Sequence, residues 1–209
     1  MMRRLLALSS AAIVALPLAA QAPKGFKMRV DRSTSASDPD APGTIKVMQM
    51  GPGFHVEAPQ AVVVWSPDSA AKGNFTLKGT FHLMEPSGHT NYYGLMFGGS
   101  NLDGPKQDYM YFLVAQDGSW LIKHRADDAT THSIVPKTMH AAVKKPSGSG
   151  STPNDLEVRV VGDKIDYVVN GTVVHSMTRG PNGPRTDGIF GVRINHMLNV
   201  HVEKFGATK

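Results

Sequence analysis

The chain has no cysteine. This excludes disulfide staples, thiolate metal sites, a cysteine nucleophile and a lipid-attached N-terminal cysteine. Nucleophile and zinc signatures are missing too: there is no G-x-S-x-G and no H-E-x-x-H. No stretch carries a convincing helical period. Beyond Leu18 no apolar run approaches the roughly 20 residues that a membrane-spanning helix needs. The formal net charge is +5, but no basic block is interleaved with aromatics, which argues against a nucleic-acid partner. Glutamate is scarce. Glu57, Glu85, Glu157 and Glu203 are far apart, so no local pair is spaced for acid/base work.

What is present begins at the N-terminus. Arg3 and Arg4 precede an apolar run, Leu5 to Leu18, and small residues follow, the pattern of a secretory signal peptide over residues 1–22. A membrane anchor is the weaker reading, because the run is short and Pro17 breaks it. Ala20-Gln21-Ala22 has the small-x-small form, and cleavage after Ala20 or Ala22 fits. The expectation is a periplasmic or secreted protein. Its mature part would hold 187 of the 209 residues, with the charge falling from +5 to +3 as Arg3 and Arg4 leave. That length suits one core. Residues 23–43 are expected as a flexible N-terminal segment. Within it Phe26, Met28 and Val30 alternate as in a short strand, and Ser33 to Gly43 is nearly free of apolar residues. Residues 44–209 form the expected domain.

That domain reads as short strands joined by turns. Leu156, Val158 and Val160 alternate with polar residues, as do Ile165, Tyr167 and Val169. Gly162-Asp163 and Asn170-Gly171 turn the chain between them. Asn170-Gly171-Thr172 also spells a glycosylation sequon, but this turn explains it. Phe75, Leu77, Phe81 and Leu83 share one face of another strand, and Thr76, Lys78, Thr80 and His82 the other. Two more strands, 107–116 and 119–125, flank Asp117-Gly118. About twelve strands are expected, with at most one helical turn at Ala70–Lys72. The fold class is therefore all-β, an antiparallel two-sheet sandwich or barrel.

Two segments carry a family likeness. One is Tyr93-Gly94-Leu95-Met96-Phe97-Gly98 with the run from Tyr109 to Arg125. The other is Asn154-Asp155-Leu156, Gly162-Asp163 and Val169-Asn170-Gly171, closing with Gly188-Ile189-Phe190-Gly191-Val192. Over residues 54–206 the chain resembles the concanavalin A-like lectin/glucanase superfamily, the jelly-roll group that includes laminin-G-like modules. It is most similar to exported bacterial proteins related to the 3-keto-disaccharide hydrolase domain. The resemblance implies a concanavalin A-like jelly-roll sandwich. Family 16 glycosidases of this superfamily carry E-x-D-x-E or E-x-D-x-x-E on one strand. This chain has neither, so no catalytic residue is carried over.

Several side chains fit ligand chemistry. Tyr92, Tyr93, Tyr109, Tyr111 and Trp120 cluster on neighbouring central strands, and aromatic faces suit sugar C–H surfaces. By alternation Tyr109 and Tyr111 leave the core to Met110, Phe112 and Val114. The plain alternative is a second sheet face with hydroxyls to solvent. Lys123, His124, Arg125, Arg193 and His196 supply cations and donors; an arginine beside a tyrosine face can hold a hydroxyl pair or a carboxylate. A solvated edge, and for His196 a turn, compete. Nine histidines show no local ligand spacing, which disfavours a transition metal. Calcium, which occurs in laminin-G-like relatives, suits Asn101, Asp103 and Asp108 better, against ordinary Asx-turn chemistry. No other cofactor is expected.

The leading expectation is non-catalytic binding of a carbohydrate or cell-surface glycan. The hydrolase likeness implies a second, a glycosidase acting on a (3-keto-)disaccharide or glucan. That reading requires two convergent carboxylates, from candidates such as Asp108, Asp127, Glu85 and Glu203. A structural or protein-interaction module is the third.

Overall fold

The computed structural model describes residues 23–31, 39–147, 151–180 and 184–209. The expected signal peptide and much of the 33–43 segment lie outside the described residues. The strands are β1 (Lys27–Val30), β2 (Lys46–Met50), β3 (Gly53–Ala58), β4 (Val62–Ala71), β5 (Phe75–Glu85), β6 (Tyr92–Ser100) and β7 (Asp108–Ala115). They continue as β8 (Ser119–Arg125), β9 (Thr131–Met139), β10 (Thr152–Val161), β11 (Lys164–Val169), β12 (Thr172–Thr178), β13 (Gly188–Ile194) and β14 (Leu198–Thr208). Among the described residues there is no helix, and none long and apolar enough to cross a membrane.

Two seven-stranded sheets pack face to face. The first runs β1-β4-β13-β6-β7-β8-β9, the second β12-β11-β10-β5-β14-β3-β2. Neighbours pair antiparallel, as in β6 with β7 and β10 with β5. Alternation decides what meets between them. Tyr93, Leu95 and Phe97 of β6 and Met110, Phe112 and Val114 of β7 face Leu77, Phe81, Leu156, Val158 and Tyr167 in one buried core. The Phe112 and Tyr167 rings meet edge to face across the sheets at 5.2 Å. This is a concanavalin A-like jelly-roll sandwich.

The expected turns are present. Asn170 and Gly171 take φ of +49° and +81°, as a two-residue hairpin turn of this twist demands. One local expectation is corrected. Ala70 and Ala71 are not a helical turn; they continue β4 and pair with Ile189 and Gly188 of β13. Pro67 lies within that strand, where the register jumps from Trp65 to Ala70 against Gly191 and Ile189. No ladder hydrogen bond is asked of Pro67 in that irregular stretch. β9 is supported by its pairing along β8.

Candidate functional site

The first sheet has an unusual outer face. Val63, Trp65, Met96, Leu102, Tyr109, Tyr111, Leu113 and Leu121 form a second buried cluster there, with Tyr92 and Ile189 packed against it. Gly191 makes room at its centre. A Cβ at that position would lie 2.3 Å from the Val64 carbonyl oxygen and 2.9 Å from Met96 Cε.

Charged groups converge on this aromatic base. The Arg193 guanidinium lies over the Tyr111 ring, 4.8 Å from its centroid. Arg193 Nη1 donates to the Tyr109 hydroxyl at 2.8 Å and to Asp31 Oδ2, and that hydroxyl donates to Asp31 Oδ2 at 2.9 Å. Arg125 Nη2 donates to Asp31 Oδ1 and, at 3.1 Å, to the Asp128 carbonyl. Arg29 and Gln107 both donate to the Asp128 carboxylate, Gln107 at 2.8 Å. Burial alone would raise the Asp31 carboxyl pKa. Arg193 and Arg125, together with bonds from Arg193 and Tyr109, outweigh it and hold the group below its ordinary value. Burial raises the pKa of both the Tyr109 and Tyr111 hydroxyls. Burial, then the neighbouring Arg193, lowers that of the Lys123 ammonium. The face thus gathers Arg29, Lys123, Arg125 and Arg193 against Asp31 and Asp128, an excess of cation.

Tyr109, Tyr111, Arg125 and Arg193 therefore share one site. Trp120 does not join them. It stands opposite Val114, an inward residue, and so lies in the core, edge-on to Phe112 at 6.0 Å. Alternation along β8 also parts His124 from Arg125. His124 Nε2 lies 3.3 Å from Asp108 Oδ2, and its ring stacks on His132 at 5.6 Å. His124 and Asp108 border a separate cleft of about 480 Å³ with Met110, Ile134, Met177 and Arg185. His196 occupies the β13–β14 turn, where Met197 takes φ +54°. It is 3% exposed, with Nδ1 at 3.0 Å from Asp40 and Nε2 at 3.2 Å from His89.

The calcium candidates turn to different partners. Asn101 takes φ +53° and its carbonyl accepts from Gly104 N at 2.9 Å, Asp103 pairs with Lys27 at 2.8 Å, and Asp108 faces His124. Among the described residues no three His, Asp or Glu side chains surround a common point. The carboxylates considered for glycoside cleavage also stand in separate surroundings. Asp127 accepts from the backbone of Ala129 and Thr130, Glu85 ends β5 exposed, and Glu203 is on the second sheet.

Asp31 escaped the sequence reading, and it matters here. Asp31 was within reach: Lys27, Arg29 and Asp31 form the alternate face of the Phe26-Met28-Val30 pattern. Its partners lie 78, 94 and 162 residues away, which no local pattern reveals.

Solved structures share the architecture. The carbohydrate-binding module CBM66 from Bacillus subtilis superposes with a TM-score of 0.62 at 11% identity, over 88% of this chain and 96% of that one. A Bacillus subtilis protein of unknown function with a galectin-like fold gives 0.60 at 13%, over 88% and 89%. The GH16 protein of a Bacteroides ovatus mixed-linkage glucan PUL, solved with a G4G4G3G product, gives 0.55 at 9%, over 88% and 94%. At such identities the likeness establishes the fold. No protein-family model matches the chain. No curated protein matches it either.

Proposed function

We propose that this protein binds carbohydrate, without cleaving it, at the outer face of its first sheet. The observation that carries this reading is the convergence of Arg125, Arg193 and Tyr109 on one carboxylate above the Tyr111 ring. Arginine forks and carboxylates together suit the paired hydroxyls of a sugar, and arginine suits a uronate. Tyr109 and Tyr111 are buried, so they act as the base that fixes the arginines. Contact with ligand falls to the partly exposed rim, Arg29, Lys123, Arg125 and Asp128. Support also comes from the fold neighbours whose names record carbohydrate binding or a glucan product. Export to the periplasm or medium is part of the same proposal, resting on the N-terminal sequence pattern.

The cleaving alternative finds less support. A retaining or inverting pair needs one carboxyl kept protonated as the acid. Asp31 is held ionised by two arginines, and Asp128 is bound by Arg29 and Gln107.

The test is thermal shift against neutral and uronate-containing oligosaccharides. A ligand at 100 times its Kd should add about 2.7 kcal/mol. Arg125→Ala and Lys123→Ala should each weaken binding about tenfold, roughly 1.4 kcal/mol. A flat panel, or binding unchanged in both variants, overturns the proposal.

A further inference from the structure

The outer face of the second sheet carries histidines from three adjacent strands. His55 of β3 stands directly opposite His201 of β14, and His201 directly opposite His82 of β5. Their ring centroids are 6.1 and 5.8 Å apart. Glu203, two residues beyond His201, turns to the same side, as alternate strand residues must. Its Oε1 lies 3.2 Å from His201 Nε2 and its Oε2 3.6 Å from His82 Nε2. His55 and His201 are 5% and 8% exposed. The buried His82 Nε2, His55 Nδ1 and His201 Nδ1 have no hydrogen-bond partner among the described residues.

These spacings have a chemical meaning. Zinc binds imidazole nitrogen at about 2.0–2.1 Å and carboxylate oxygen at about 2.0–2.2 Å, so two donors on one tetrahedral ion stand roughly 3.3 Å apart. The two nitrogen–oxygen separations about Glu203 bracket that value. Directly opposed strand residues hold their Cβ atoms about 4.5–5.5 Å apart, within reach of one ion for two imidazoles. The Glu203 carboxylate lies between the two rings, and among the described residues no three donors enclose one point. Closing the set requires the His82 and His201 rings to turn about their own side-chain bonds. Imidazole with carboxylate favours zinc, cobalt, nickel or copper over calcium.

We propose that His82, His201 and Glu203 bind one divalent transition-metal ion of the zinc class, with His55 as the fourth donor. The site ties β5, β14 and β3 together on the side of the sandwich away from Arg193. It is independent of the carbohydrate proposal.

The test uses the untagged full chain, stripped with chelator and titrated with Co2+, then with Zn2+ in competition. One equivalent of Co2+ should bind with the visible absorption of a tetrahedral ion, and Zn2+ should displace it. His201→Gln should abolish this. The more exposed His82→Gln and Glu203→Gln should each weaken it by more than the roughly 10–100-fold that loss of an outer-shell partner costs. His132→Gln, in the other stacked pair, should keep full binding. Circular dichroism of each metal-free variant reports whether it folds. Stoichiometric uptake that persists in folded His82→Gln and Glu203→Gln overturns the assignment, as does the absence of uptake by the parent chain.

Discussion

The outer faces of the two sheets are built by the same alternation, yet they differ in kind. That of the first sheet is apolar and aromatic, and at its centre a buried carboxylate gathers its partners from distant strands: Asp31 takes Arg193, Arg125 and Tyr109 at once. That of the second carries Thr76, Lys78, His82, Glu157, Arg159 and Asp166, mostly half-buried or exposed. Its exchangeable pairs are short-range and near the surface, such as Arg159 with Glu157 at 2.7 Å. The difference bears on energetics. A buried ion cluster is a poor source of net stability but is costly to break, because the orphaned charge stays in low dielectric. A surface pair contributes little either way.

That contrast is most severely strained by Arg193→Ala. It removes the guanidinium from Asp31, Tyr109 and the Tyr111 ring together, and should cost about 3–5 kcal/mol in urea unfolding. The double variant Arg193→Met with Asp31→Leu removes both charges and should recover most of that loss, since no ion is left unpaired. If the single variant costs under about 1 kcal/mol, the cluster is solvated and the contrast between the faces fails.

Acid should act on the same face. The Asp31 carboxyl titrates below its ordinary 3.8 in the folded chain, so the unfolded chain binds its proton more readily. Its stabilising contribution is present above pH 3.8 and is lost as pH falls through the folded value. Asp31→Asn should therefore lower stability at neutral pH and flatten the acid limb below 3.8, measured by unfolding free energy against pH. An unaltered acid limb would transfer that role to other carboxylates. Tyr109→Phe is a gentler probe. It deletes a hydroxyl that joins Arg193 to Asp31 and should cost about 1.5–3 kcal/mol, the range for hydrogen bonds to charged groups.

The inner faces were legible because period-2 alternation reports burial directly. Met110, Phe112 and Val114 separate from Tyr109 and Tyr111 on that ground alone, and Leu156, Val158 and Val160 likewise. Trp120 was misgrouped with the tyrosines because alternation leaves each strand's parity free. The hairpin register, Val114 opposite Trp120, supplies it. Asp31 was hidden by distance along the chain. The histidine row needed more still: residues 55, 82 and 201 meet because β14 lies between β3 and β5, and a strand order is a property of the whole sheet. Local ligand spacing cannot detect donors that each come from a different strand.

The smallest expected effect is on the second face. His82 lies 3.6 Å from the Glu203 carboxylate, beyond hydrogen-bond length, and its side chain is 23% exposed. In the presence of chelator His82→Gln should shift unfolding free energy by no more than about 0.5 kcal/mol, as for surface positions without a special contact. A loss above about 2 kcal/mol would mean that the histidine row is itself a structural element, packed and satisfied like the Asp31 cluster. The two outer faces would then no longer be opposites, and the hydrogen bond of Glu203 to His201 at 3.2 Å would serve the fold rather than hold a metal ligand in reserve. A neutral result in chelator, followed by a rise in melting temperature with zinc that only the parent chain shows, places the row's chemistry outside the energetics of folding.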